Sequence, residues 1–349
     1  MGSMRWAFAI LALTAACGDD HKAAIDAADD AVADSPIDGN SLTPPTLAGT
    51  GLCTNAACTT YASDVHSYIP QYQLWADTAT KKRWMYLPPG TQIDTTDMNF
   101  WKFPVGTKFW KEFTRDGTRV ETRYIVKLLP DDTLAAAWYF VSYQWNATQD
   151  GTMAVTTGAM NANGTNHDIP TTSDCKRCHT NTPGRVLGFQ AMSLDYAAPA
   201  GELDLDDAVA ANMLSTPPPG AASPHYPLPG TDVDKAAFGY LHANCGGCHN
   251  PRSGIHDTTP LELRMDVTKL GTVAEMPAHA TTVNVNGTVR AGGGIELLGK
   301  IIIPNDPPNS VMIMRMNAAT NPPKMPEKGT EMVDPTGQAV LTAWINQPP

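Results

Sequence analysis

Two short stretches carry the residue types that do chemistry in this chain. Cys175-Lys176-Arg177-Cys178-His179 and Cys245-Gly246-Gly247-Cys248-His249 both read Cys-x-x-Cys-His. That spacing is the attachment signature of c-type haem. Each of the two thiols forms a thioether to one vinyl group of the porphyrin. The histidine that follows is then held beneath the ring, where its imidazole binds iron as the proximal ligand. One such stretch carries little weight alone; two among seven cysteines carry a good deal.

Other uses of these residues fit less well. Zinc ribbons pair two C-x-x-C units about fifteen to twenty residues apart, and Cys178 and Cys245 stand much further apart. A thioredoxin-like site needs a βαβ context, which the flanking sequence lacks. Structural disulfides suit an oxidising compartment, but they do not require histidine at the same offset twice.

The elements that must position these residues begin with an export signal. Arg5 supplies a positive charge, and Trp6 to Leu13 is an apolar stretch far shorter than the roughly 20 residues of a membrane span. Thr14-Ala15-Ala16 are small, as signal peptidases require, and Cys17 follows at once. Residues 1–16 therefore read as a signal peptide of the bacterial lipoprotein type, with Cys17 lipidated; ordinary cleavage without a lipid is the alternative. Residues 17–59 read as an acidic, flexible tether. Within it, Cys53 and Cys58 are left over from the two motifs, and outside the cytoplasm they are expected to close a small disulfide loop. The protein is thus expected in the periplasm or at the outer membrane, touching a membrane only through its lipid.

At 349 residues, the chain predicts two domains behind that tether. Hydrophobic residues make up 42%, enough for real cores, while 29 prolines and 28 glycines point to many loops. A formal net charge of −11 makes nucleic acid and anionic membrane surfaces poor partners.

Alternation of apolar and polar residues predicts β-structure from about Tyr68 to Asn146, with strands at Lys82–Leu87, Lys108–Phe113, Thr118–Leu129 and Trp138–Trp145. Arg115-Asp116-Gly117 is a hairpin turn. Helices are expected at Leu203–Leu214, from Asp232 into Cys245, and from Asp334 to Ile345. Leu261–Ile303 shows strand-like alternation. Met312, Met314 and Met316 also alternate as in a strand, which reads as core filling.

The region around the second motif resembles the class-I cytochrome c module. Phe238 and Tyr240 stand for the aromatic positions of its first helix. Cys245, Cys248 and His249 follow, then Met325-Pro326 in the position of the distal loop and Ala343-Trp344-Ile345 in the closing helix. The resemblance implies Met325 as the distal iron ligand, presented by a backbone that proline stiffens. Loop packing is the ordinary alternative for a methionine. The long insertion between His249 and Met325 departs from the minimal module. Residues 60 to 185 resemble the cytochrome c-prime-beta superfamily, through Phe103-Pro104-Val105-Gly106-Thr107 and Lys111-Glu112. Some members keep an open iron site. Over residues 65 to 349, Leu87-Pro88-Pro89-Gly90-Thr91, Glu121-Thr122-Arg123, Tyr143-Gln144-Trp145-Asn146 and Tyr240-Leu241-His242-Ala243-Asn244-Cys245 resemble bacterial di-haem lipoproteins, which implies two covalently bound haem c groups.

The expected fold class is therefore α+β. An antiparallel β domain (60–189) would end in the first haem motif, and a mainly α, cytochrome c-like domain (190–349) would carry the second haem. The sixth ligand of the first iron stays open between Met192, His167, His242, His225 and a vacant position. Glu112, Glu121 and Arg123 could flank an open iron, although charges alternating on a strand usually mark a solvated face. Electron transfer between redox protein partners is the leading function. A di-haem enzyme, a peroxidase or small-molecule oxidase with an open first haem, is the alternative. A haem-based sensor ranks last, because nothing resembles a signalling output.

Overall fold

Strand alternation builds a six-stranded antiparallel sheet in chain order: β1 (His66–Ser67), β2 (Thr80–Tyr86), β3 (Lys108–Arg115), β4 (Thr118–Lys127), β5 (Trp138–Trp145) and β6 (Thr152–Val155). The computed structural model describes residues 43–291, 294–318, 324–327 and 329–347. The signal peptide, Cys17 and residues 17–42 of the expected tether lie outside the described residues. No helix among the described residues is long and apolar enough to cross a membrane.

Asp116 and Gly117 both take positive φ, 50° and 79°, which lets the β3–β4 hairpin turn tightly with the strands' own twist. Because successive side chains point to opposite faces, the four central strands split their apolar residues between two cores. Met85, Phe109, Ile125 and Phe140 enter the main core. Trp84, Trp110, Tyr124, Val141, Tyr143 and Trp145 enter a second. Trp110 stacks on Tyr124 with ring centroids 5.6 Å apart.

The second core corrects the expected tether. Leu47, Leu52, Cys53 and Cys58 are all buried in it, and Cys53 is disulfide-bonded to Cys58. Residues 44–59 cover the aromatic face of the sheet. Two anchors hold them there: Trp110 Nε1 donates to Thr50 Oγ1, and Tyr143 Oη donates to the Pro45 carbonyl.

After the sheet, a short hairpin of β7 (Thr157–Ala159) and β8 (Ile169–Thr171) leads directly into α1 (Thr172–His179), which carries the first motif. Short helices α2 (Ala191–Leu194) and α3 (Leu205–Ala210) follow, then α4 (Asp232–Asn244), which runs into Cys245. Helix α4 is capped by Thr231. The Thr231 hydroxyl and the Asp234 carboxylate satisfy each other's backbone N–H groups, a reciprocal capping box. Beyond lie α5 (Pro277–Ala280), a hairpin of β9 (Asn286–Ala291) and β10 (Gly294–Lys300), α6 (Val311–Asn317) and α7 (Pro335–Ile345). Helix α7, capped by Asp334, packs on α4, with Phe238 edge-to-face against Trp344 at 5.6 Å.

The α+β class holds, but the boundary expected at residue 189 falls inside a shared core. Phe189 meets Tyr68, Trp101 and Phe109 at 4.8, 5.9 and 5.3 Å, and the same cluster runs through Ala191 and Met192 to Phe238 and Ile345. Pro44 to Pro349 forms one compact unit. The strand expected at Met312–Met316 is also corrected, to helix α6. Met312 and Met316, four apart, share a face, with Met316 buried, while Met314 is exposed. Methionine is a good helix former, and the run is too short for its period to be read from composition.

Candidate functional site

Helix α1 presents Cys175, Cys178 and His179 from a single stretch of eight residues, closed at its start by a Thr171–Asp174 capping box. The next turn of chain does the precise work. Gly184 and Arg185 both take positive φ, 72° and 55°. Arg185 is anchored by its guanidinium, which donates to the Asp132 carbonyl at 3.0 and 2.6 Å. Its own carbonyl accepts from His179 Nδ1 at 2.6 Å. A carbonyl can only accept, so Nδ1 carries the proton and Nε2 keeps its lone pair. That is the tautomer a metal-ligating imidazole needs. Burial pushes the His179 imidazolium down to about 4, so the ring is neutral at ordinary pH.

Gly184 is indispensable to this turn. A Cβ there would sit 2.1 Å from the Trp101 carbonyl oxygen, and the φ is wrong for other residues. Gly184→Ala is expected to cost at least about 1–3 kcal/mol and to free the His179 ring. Thermal melting checks the first effect, and the NMR line width of the His179 ring protons checks the second.

The second motif follows α4. Burial, followed by the Arg315 guanidinium, pushes His249 down to about 4. Its Nδ1 is buried without a hydrogen-bond partner. Cys175, Cys178, Cys245 and Cys248 are all free thiols, whereas Cys53 and Cys58 are bonded to each other. Gly246 lies flat on its neighbours: a Cβ would be 2.7 Å from the His242 carbonyl oxygen and 2.9 Å from Arg264 Cα.

The fold brings the two motifs into contact. Interaction between the Cys178 and Cys248 thiols lowers the Cys178 pKa and raises that of Cys248. Thr182 Oγ1 donates to the Gly247 carbonyl at 3.0 Å. Asn250 Nδ2 bridges back to the Asn181 and Gly247 carbonyls, both at 3.1 Å.

Met325 lies in the same neighbourhood. Its N–H donates to the Arg315 carbonyl at 2.9 Å, and Arg315 is the residue that acts on His249. It lines a recess with Trp75, Tyr240, Asn244, Met316 and Asp334. Two residues on, Glu327 pairs with Arg177 of the first motif at 3.1 Å. Met192, by contrast, is buried in the main core on α2. His242 and His225 are engaged elsewhere. His242 Nδ1 accepts from the Met265 N–H and its Nε2 faces Gln190, while His225 meets Asp206 and the Pro219 carbonyl. His167 Nε2 is 2.8 Å from Glu121 Oε2.

Among the described residues, no three His, Cys, Asp or Glu side chains converge as a protein-only metal site would require. A porphyrin supplies four of iron's ligands itself and asks the protein for one or two. The residues present fit that group: at each motif, two free thiols precede a neutral, half-buried imidazole, and the His179 ring is oriented through its far nitrogen.

The strand charges correct another expectation. Glu112 and Glu121 are buried, at 2% and 0% exposure, and so do not mark a solvated face. Glu121 and Arg123 share the face that meets α1: Arg123 acts electrostatically on Cys175 and Cys178. Glu112 points to the opposite face and pairs loosely with Arg119 at 3.9 Å. Sequence reasoning missed Arg185 altogether, since it contributes a backbone atom that no side-chain pattern signals.

No family model matches the chain, and neither a curated protein nor a solved structure shows significant similarity to it.

Proposed function

We propose that the chain is an exported di-haem c-type cytochrome that passes single electrons between redox protein partners. The observation that carries this reading is the contact between the two Cys-x-x-Cys-His motifs, where Thr182 Oγ1 donates to the Gly247 carbonyl and Asn250 Nδ2 to the Asn181 carbonyl. Haem, when bound at both, supplies two one-electron couples. The protein's part is to hold them adjacent and set their environments. His179 and His249 would each hold one haem iron, their imidazoles kept neutral by burial. Arg185 orients His179 through its carbonyl. Met325 would be the further protein ligand at the second site, where its thioether would raise the potential relative to a second imidazole. Met192 is retained at low rank for the first site, because core burial on α2 holds it.

The test is carbon monoxide added to the reduced, purified protein. An electron carrier with both irons closed leaves the visible spectrum unchanged. Met325→Ala should then lower the potential of one haem and make that one reactive to carbon monoxide. A change in roughly half the Soret intensity of the wild type would instead favour a di-haem enzyme with an open first site. A spectrum of Met325→Ala that carbon monoxide leaves unchanged would remove Met325 from its assigned place.

Lipidation of Cys17, which lies outside the described residues, completes the proposal by tethering the protein in the periplasm or at the outer membrane. Cys17→Ser should move the protein from the membrane to the soluble fraction on cell fractionation; retention in the membrane would count against the lipid.

A further inference from the structure

Cross-strand register places three cations side by side on the sheet face that meets α1. Arg83 is opposite Lys111, Lys111 is opposite Arg123, and Arg123 is opposite Ser142. Directly opposed residues share a face with Cβ atoms about 5 Å apart, and like charges there repel. Arg83 is 5% exposed. Burial, then Arg83, Arg123 and Lys81, holds the Lys111 ammonium well below its usual range. Compensation within the chain is thin. Glu121 pairs with Arg123 and also acts electrostatically on Lys111, but among the described residues neither Arg83 nor Lys111 is in ion-pair contact with a carboxylate. Arg83 reaches only the Gln73 side-chain carbonyl at 3.4 Å, and Lys111 lies over the Phe113 ring at 5.0 Å.

A second observation lies at the end of the same row. Ser142 is 2% exposed, and its hydroxyl has no hydrogen-bond partner. A buried, unpaired hydroxyl is costly and calls for an explanation. Three cationic donors of which only Arg123 is paired with a carboxylate, ending in a free hydroxyl, are the complement of a planar group of oxygen acceptors. The row also faces chemistry: Lys111 and Arg123 act electrostatically on His179.

We propose that the row Arg83–Lys111–Arg123–Ser142 is a binding site for a carboxylate or small oxyanion, set beside the first Cys-x-x-Cys-His motif. The anion is either a free solute or a propionate of the haem itself; the second source rests on the haem reading above, and the first does not.

The test uses the purified protein and sodium nitrate, followed by calorimetry, with Lys111→Met as the comparison. Methionine keeps an unbranched apolar stem close to the length of lysine's and removes the ammonium, with its charge and its donors. Saturable nitrate binding, weakened about tenfold in the variant, assigns the row to a free anion. No nitrate binding, with a shifted propionate bending band for one haem in the resonance Raman spectrum of Lys111→Met, assigns it to the propionate. Absence of both effects overturns the site. If Lys111→Met does not fold, Ser142→Ala gives the same comparison with the loss of one oxygen atom. Haem is counted in parallel. Two haems with neither effect reject the anion site and leave the haem reading standing; no haem rejects that reading, and nitrate calorimetry alone then decides the row.

Discussion

Replacing both Cys175 and Cys178 with Ala is expected to halve the covalently bound haem, counted as pyridine haemochrome per protein. Each thioether needs one thiol, and the four free thiols divide into two pairs. The second motif should still be loaded, because its own cysteines and His249 sit on the α4 side of the contact. Its potential should nonetheless move, since the two motifs adjoin through Thr182 and the Gly247 carbonyl. The paired substitution at Cys245 and Cys248 should give the mirror result. Wild-type protein without haem would sink the whole reading. Loss of both haems from one double variant would mean that the motifs are loaded as one unit rather than as two sites.

Glu121→Gln should produce the largest loss of stability among single substitutions. Glu121 is fully buried, accepts from Arg123 at 2.8 and 3.0 Å, and meets His167 at 2.8 Å. Breaking a buried ion pair leaves the remaining charge uncompensated and typically costs about 3–5 kcal/mol. The lower end applies, because the Arg123 side chain is 29% exposed. Here the freed guanidinium would also join Arg83 and Lys111 as a third uncompensated cation in one row. Denaturant unfolding of the two proteins measures the difference; less than about 1 kcal/mol would mean that solvent screens the pair as it does at a surface.

The same residue predicts a pH dependence. Burial alone would raise the Glu121 pKa, but Arg123 and His167 outweigh it and bring it down to about 2 from 4.5. A depressed folded-state pKa means that the unfolded chain binds the proton first as acid is added. The stabilisation is therefore full above about pH 4.5 and is lost progressively as pH falls toward 2. The gap in stability between wild type and Glu121→Gln should close over that interval. A constant gap would show that Glu121 stabilises by shape and not by charge.

Much of this was legible in the chain itself. The two motifs are contiguous, so the expectation of haem rests on neighbouring residues and needs no tertiary information. Strands β2 to β5 were legible because alternation is a local property, and the β3–β4 turn because Asp116-Gly117 tolerates positive φ. The start of α7 was marked by Asp334, which caps it. Met312 to Met316 misled because alternation over five residues suits a strand and a short helix alike.

What only the tertiary structure decided depends on residues distant in sequence. Polar composition made residues 44–59 resemble a tether, yet four of them fill the core beneath Trp110 and Tyr143. Charges on β3 and β4 resembled a solvated face because burial depends on what covers a strand, and here α1 and the 44–59 segment cover both sides. No local pattern encodes the cation row, which exists only through the register of four strands. Nor does any encode the Arg185 carbonyl at His179, or the meeting of Cys178 with Cys248. Covalent chemistry is written in neighbouring side chains and can be read there; the environment that tunes it is made by packing, which joins what the sequence keeps apart.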